Sequence, residues 1–240
     1  MKKFIRIYSD VGVSQFSLKC LLKEIENLSL DVKTISADEV ISGSWQEDTS
    51  IFIVPGGRDL MYLKKLTMEG ILNIKSYVEE GGSYLGICAG AYFGSSFVEF
   101  DKGGELEVIG KRDLEFGNCR AIGPAYENPK FAYENLNGAR ATPLEYSSKK
   151  TSTLSYIYFN GGCYFKSDEK MDVIGEYSDL KLPAIIKAKV KKGRAILSGL
   201  HLEYSFEDVD DNLSLLKSKI QETENIRKQI FKDVLDELFI

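Results

Sequence analysis

The sequence predicts an α/β protein: a mainly parallel twisted sheet with helices on both faces and a strand-rich excursion in the middle. Three observations carry this. Up to about residue 96, short β-rich runs alternate with segments of helical apolar spacing, the pattern of a parallel sheet wrapped by helices. Between about 100 and 150 the pattern breaks into short β-like pieces split by Gly, Pro and Asn. Strand patterns then return, and from about 207 the chain reads as helix to its end.

Taken in order, "FIRIYS" (4–9) is a short β-rich run. "GVSQFSLKCLLKEIENL" places Phe16, Leu18, Leu21, Leu22, Ile25 and Leu28 on helical spacing, with Ser14 or Ser17 as the cap. "DVKTIS" (31–36) is a second strand, and "ADEVISG" a short helical turn. "SIFIVPGG" (50–57) is a buried strand ending in a Pro-Gly-Gly turn. "EGILNIKSYVEEGG" (69–82) reads as a helix with a glycine stop, "SYLGIC" (83–88) as a strand, and "AGAYFGSS" as the start of the next helix. "GELEVIG", "GNCRAIGPAYENP" and "ARATPLEYS" make up the excursion, too short and too polar for a domain of its own. "TLSYIYFNGGCYF", "VIGEYS", "PAIIKAKV" and "GRAILSGLH" are strands, the last two joined at "KKGR". In the C-terminal segment, 207–240, Leu213, Leu216, Ile220, Ile226, Ile230, Val234 and Leu238 share a face, as a helix covering the sheet requires. The 240 residues are therefore expected to form one domain.

Composition excludes several function classes. A net charge of −5 leaves no electrostatic footprint for nucleic acid or an anionic membrane. Lys149–Lys150 and Lys191–Lys192 read as solvated turns. No apolar run approaches a membrane span, and Arg6 and Asp10 interrupt the start before a signal peptide's apolar core could form. Cys20, Cys88, Cys119 and Cys163 contain no tight pair, which suggests reduced thiols in a cytoplasm. One histidine and scattered cysteines argue against a metal site, and no cofactor motif is present.

Gly86-Ile87-Cys88-Ala89-Gly90 fits G-x-nucleophile-x-G, in which a strand turns abruptly into a helix and lifts its central side chain above the sheet edge. The alternative is a small, packed cysteine at a tight junction. His201, the single histidine, follows the predicted strand "GRAILS", and Glu203 lies two residues on. In an extended segment those two side chains point the same way. The carboxylate can then orient one imidazole nitrogen while the other faces the thiol, giving nucleophile, base and orienter. An acyl-transfer site also needs amides for an oxyanion, and the Gly56-Gly57 turn together with Ala89 can supply them. Arg58 and Asp59 follow that turn, and Asn160, Gly161 and Gly162 lie at a further strand end, as candidates for substrate binding. Tyr8, Ser9 and Asp10, at the first strand end, and Glu99, past the elbow helix, are weaker candidates.

The order "PGG", "GICAG", "H-x-E" resembles the class I glutamine amidotransferase-like fold, a flavodoxin-like arrangement whose members use Cys-His-Glu. "PGGRDLMY", "YVEEGGSYLGICAGAYFGSS", "YFNGGCYF" and "LSGLHLEYS" narrow the resemblance. Together they are similar to the amidotransferase-like N-terminal domain of eukaryotic-type biotin–protein ligases. The resemblance implies catalytic positions at Cys88, His201 and Glu203 and oxyanion positions at Gly57 and Ala89. Two departures stand out: the commoner H-P-E is H-L-E here, and the glycine- and arginine-rich loop of the ligase's catalytic domain is missing. The chain is thus expected to act on a small amide without biotinylating anything. The alternative is a metabolite-binding or regulatory module on the same fold. A small molecule is the expected partner in either case; a protein partner or homo-oligomer is not legible.

Overall fold

The computed structural model describes residues 3–133, 135–147 and 152–239. The β-rich runs of the first hundred residues form β1 (Phe4–Tyr8), β2 (Val32–Ile35), β3 (Thr49–Val54) and β4 (Ser83–Ile87). Between them lie α1 (Gln15–Asn27), α2 (Ala37–Ser42) and α3 (Asp59–Glu79), and after β4 comes α4 (Ala89–Gly94). Ser14 caps α1 by accepting from the Ser17 amide, and α2 starts on a reciprocal Ser36–Glu39 capping box. The helix expected from residue 69 begins ten residues earlier, because α3 is two helical stretches merged across Thr67, which is non-helical (φ 55°, ψ 176°).

The remaining strands are β5 (Phe97–Phe100), β6 (Val108–Lys111), β7 (Arg120–Gly123), β8 (Arg140–Ser147), β9 (Ser152–Phe159), β10 (Tyr164–Lys166), β11 (Asp172–Tyr177), β12 (Leu182–Val190) and β13 (Gly193–Ser198). Among the described residues, one sheet has the order β2-β1-β3-β4-β13-β12-β11-β8-β9. Its first five strands pair in parallel and the rest antiparallel. A second sheet has the order β10-β7-β5-β6. The excursion at 100–150 thus splits. Its first part builds most of the small sheet, over buried Phe100, Leu114, Phe116 and Ala121, while β8 widens the main one. Lys149–Lys150 lie outside the described residues.

Helices cover both faces of β4. Ser83 donates to the Leu238 carbonyl of α6 (Glu224–Leu238), whereas its neighbour Tyr84 donates to the Gly90 carbonyl of α4. The C-terminal segment is not one helix: two 3-10 turns (206–208 and 211–213) lead into α5 (Ser214–Glu222) and then α6. Leu216, Ile220, Ile230, Val234 and Leu238 are buried as their spacing implies. The arrangement has one consequence for function. β3, β4 and β13 are adjacent and parallel, with Val54 opposite Gly86 and Ile87 opposite Ser198, so the segments after their carboxyl ends converge.

Candidate active site

Cys88 follows β4 directly and has φ 51°, ψ −105°, a region that costs a non-glycine residue about 1–3 kcal/mol. Hydrogen bonds on either side hold it there. Its N–H donates to the Ser198 carbonyl (2.8 Å), its carbonyl accepts from Ala91 and Tyr92, and the Gly90 N–H donates to the Pro55 carbonyl (3.1 Å). The flanking glycines are needed for space. A Cβ at Gly86 would collide with the Gly90 carbonyl, and one at Gly90 with the Val54 carbonyl. The small residues of the motif are therefore the contact surface between β3, β4 and α4.

Past β13 the chain turns so that His201 lies against the thiol and Glu203 against His201. His201 Nδ1 lies 2.8 Å from Glu203 Oε1, and both residues are buried. The other side of the ring faces Cys88, whose side chain also lies 3.9 Å from the Asn160 carbonyl. Burial disfavours the imidazolium, but Glu203 and the Cys88 side chain outweigh it and hold the His201 pKa up at about 10. The other three thiols differ. Burial pushes Cys119 up to about 12 and drives Cys20 and Cys163 higher still, so all three stay neutral. Cys119, which directly precedes β7, is 1% exposed.

Gly57 and Ala89 line the same cavity as Cys88. Neither amide donates to an acceptor among the described residues. The Gly56 amide, by contrast, is bonded to Ser17 Oγ (3.2 Å) and is not available as a donor. Gly57 is at φ 153° and a Cβ there would strike the Gly12 carbonyl, so the turn must be glycine.

The remaining sequence candidates fall into two groups. Arg58, Asp59, Asn160 and Gly161 line the cavity, with the Arg58 guanidinium 4.4 Å over the Tyr133 ring and Asp59 paired to buried Arg112 (2.6 Å). Gly162 does not line it. Its Cβ position is filled by the Gly199 carbonyl, so this glycine serves backbone packing. Tyr8, Ser9, Asp10 and Glu99 are also absent from the lining. Tyr8 stacks edge-on against Tyr62, Ser9 Oγ donates to the Ile35 carbonyl, Asp10 accepts from the Ala37 amide, and Glu99 pairs with Lys102 and Arg120.

Two residues that sequence reasoning missed hold His201 and Glu203 in place. Ser17 Oγ donates to Glu203 Oε1 (2.7 Å) while accepting from Gly56, which ties the orienting carboxylate to the turn beside the thiol. Arg227 of α6 is fully buried and donates from Nη1 to the carbonyl of Leu202, the residue between His201 and Glu203, at 2.5 Å. Its remaining N–H groups bind Glu24 (2.9 Å) and Glu224 (2.7 Å). The signal was a polar residue on an apolar stripe: Ser17 and Glu24 share the buried face of α1, and Arg227 that of α6. The cavity measures about 810 Å³ and has two aromatic walls, neither anticipated.

The family described as "Biotin-protein ligase, N terminal" matches residues 4–240. An uncharacterized protein of Chlamydia muridarum is 36% identical over 210 residues, covering 83% of this chain and 80% of the relative. A biotin–protein ligase of Schizosaccharomyces pombe is 35% identical over 217 residues, covering 85% of this chain but 34% of the ligase, so the chain spans about a third of that relative. A solved structure from Thermoplasma acidophilum, assigned as a GMP synthase subunit, superimposes with a TM-score of 0.52 at 13% identity. That match covers 98% of this chain and 99% of the other.

Proposed function

Since the chain belongs to the biotin–protein ligase N-terminal family and has a glutamine amidotransferase-like fold, we propose that it is a cysteine-dependent amide hydrolase or amidotransferase. Cys88 is the nucleophile, His201 the proton carrier and Glu203 the orienter. The Gly57 and Ala89 amides stabilise the tetrahedral oxyanion. The observation that carries the reading is the arrangement at the elbow. A thiol held at positive φ lies against a buried His–Glu pair, in one cavity with two amides that have no acceptor among the described residues. The raised imidazole pKa keeps His201 protonated near neutral pH, so a cation stands beside the Cys88 sulfur and a proton is in place for the leaving group. The first intermediate is a thioester, resolved by water or by a bound amine.

Selective alkylation tests this. An ordinary thiol, titrating near ~8.5, is almost wholly protonated at about pH 6 and alkylates slowly. Limiting iodoacetamide at that pH is expected to label Cys88 before Cys20, Cys119 and Cys163, and His201→Ala to slow the labelling at least about tenfold. Peptide mapping that finds another cysteine labelled first, or no effect of His201→Ala, refutes the enzyme reading and leaves a binding or regulatory module. The size of the cavity is what favours that second reading.

A further inference from the structure

The cavity is much larger than a glutamine side chain requires. Free glutamine has about ten heavy atoms, and even at the ~30 Å³ that a water molecule occupies in the liquid they fill only about 300 Å³. The cavity holds about 810 Å³, within the range of roughly 300–1,000 Å³ that takes ligands of drug size.

Its walls are aromatic in two places. One group is Phe16, Tyr204 and Tyr158, with Phe16 edge-on to Tyr204 at 5.2 Å between centroids and Tyr158–Tyr204 at 4.7 Å. His201 lies against the same group, 4.5 Å from Tyr204. The second is Phe100, Phe131 and Tyr133, at 5.1–6.4 Å from one another. No ring contact joins the two groups among the described residues. Phe16 and Tyr133 are 46% and 39% exposed, large apolar surfaces at the edge of a reactive site.

The charged lining residues are already engaged within the protein. Asp59 is paired to Arg112, and Asp208 binds Lys23 and the Ser205 hydroxyl. Asp210 accepts from the Asn212 amide, and Arg58 covers Tyr133. A free amino acid needs separate anchors for its ammonium and its carboxylate, and each charged group of the lining already has a contact within the protein.

Resting on the hydrolase reading above, we infer that the substrate is not free glutamine but an N-substituted amide, acyl–NH–R, with aromatic or similarly flat apolar groups on both sides of the scissile bond. Each group stacks on one aromatic wall while the carbonyl sits at Cys88 between the Gly57 and Ala89 amides. The Cys88 thiolate adds to the carbonyl carbon, the C–N bond breaks, and His201 gives its proton to the departing amine. Water then adds to the thioester, the C–S bond breaks, and the carboxylic acid leaves. The thiol's proton returns to His201, which restores the starting pair.

Two measurements on the full chain test this. The first compares turnover of N-benzoyl-tyrosine p-nitroanilide with that of γ-glutamyl p-nitroanilide, which release the same chromophore. The benzoyl-tyrosyl compound is expected to show at least about tenfold higher kcat/KM, the minimum from stacking one more ring. The double variant Phe16→Ser, Tyr133→Ser changes only partly exposed side chains, so it should fold and should shrink that ratio towards one. An equal or better γ-glutamyl substrate, or a ratio untouched by the double variant, overturns the inference.

The second is calorimetry on Cys88→Ser, which reads the cavity without the chemistry. Binding of the benzoyl-tyrosyl anilide at least about tenfold tighter than free glutamine supports the cavity assignment, even if neither anilide is cleaved and the hydrolase reading has failed. Equal or weaker binding overturns the assignment, even if Cys88 alkylates as a reactive thiol should.

Discussion

Replacing Arg227 with methionine removes a guanidinium that is fully buried and leaves the carboxylates of Glu24 and Glu224, themselves 4% and 8% exposed, without their buried cation; the half-exposed Lys228 amine stays 3.7 Å from Glu224. Breaking a buried ion pair by deleting one partner costs roughly 3–5 kcal/mol, because the remaining charge is left uncompensated. Against a total of about 5–15 kcal/mol for a folded domain, that is a large share. With a urea slope of ~3 kcal/mol per molar, the unfolding midpoint should fall by on the order of 1 M. The triple variant Arg227→Met, Glu24→Gln, Glu224→Gln separates stability from positioning. It removes all three charges, so most of the lost stability should return. The Leu202 carbonyl still lacks its 2.5 Å donor, so the His201–Leu202–Glu203 segment is less firmly held. Iodoacetamide labelling of Cys88 should then stay slower than in the unmodified chain, although the urea midpoint has recovered. A midpoint change under about 0.3 M for Arg227→Met would refute the energetic reasoning. Full recovery of both stability and labelling in the triple variant would refute the positioning role.

Two further outcomes follow from the same geometry. Gly56→Ala puts a Cβ 2.6 Å from His201 Cε1, so the imidazole must swing away; Cys88 labelling should fall at least about tenfold while the urea midpoint changes little, and unchanged labelling would show that the ring has room. His201 has its folded pKa raised to about 10 from ~6.5, so its contribution to stability is full below about pH 6.5 and is lost as pH rises through 10. Glu203→Gln removes the leading support for the charged ring. The decline of the urea midpoint between pH 7 and 10 should be shallower than in the unmodified chain, and parallel curves would show that Glu203 does not hold the imidazolium.

The local pattern alone determined the alternation of strands and helices, because apolar spacing at periods of two and 3.6 is set by which face an element buries. It also determined the elbow: Gly86 and Gly90 flank Cys88 because backbone carbonyls occupy the places where their Cβ atoms would be. His201 and Glu203 were legible for a related reason, as two polar residues just past a buried strand in a chain with one histidine.

What the sequence could not decide was which distant segments share that strand end. Ser17 and Glu203 are 186 positions apart, and Arg227 and Glu24 203. Nothing in local spacing says that a serine in the first helix will bind the orienting carboxylate, or that an arginine in the last will hold its backbone. A lone charge on an apolar stripe ordinarily means a solvated edge, and only the approach of Glu24 on α1 and of the Leu202 carbonyl turns Arg227 into a buried tether. Gly162 shows the converse. Its motif placed it beside the cavity, yet the close approach of the Gly199 carbonyl makes it a packing glycine. The aromatic walls belong to the same class of fact. Phe16, Tyr158 and Tyr204 come from three distant segments, and Phe100, Phe131 and Tyr133 from the β-rich excursion. Each reads in sequence as an ordinary apolar residue, and they line one cavity only once these segments have come together.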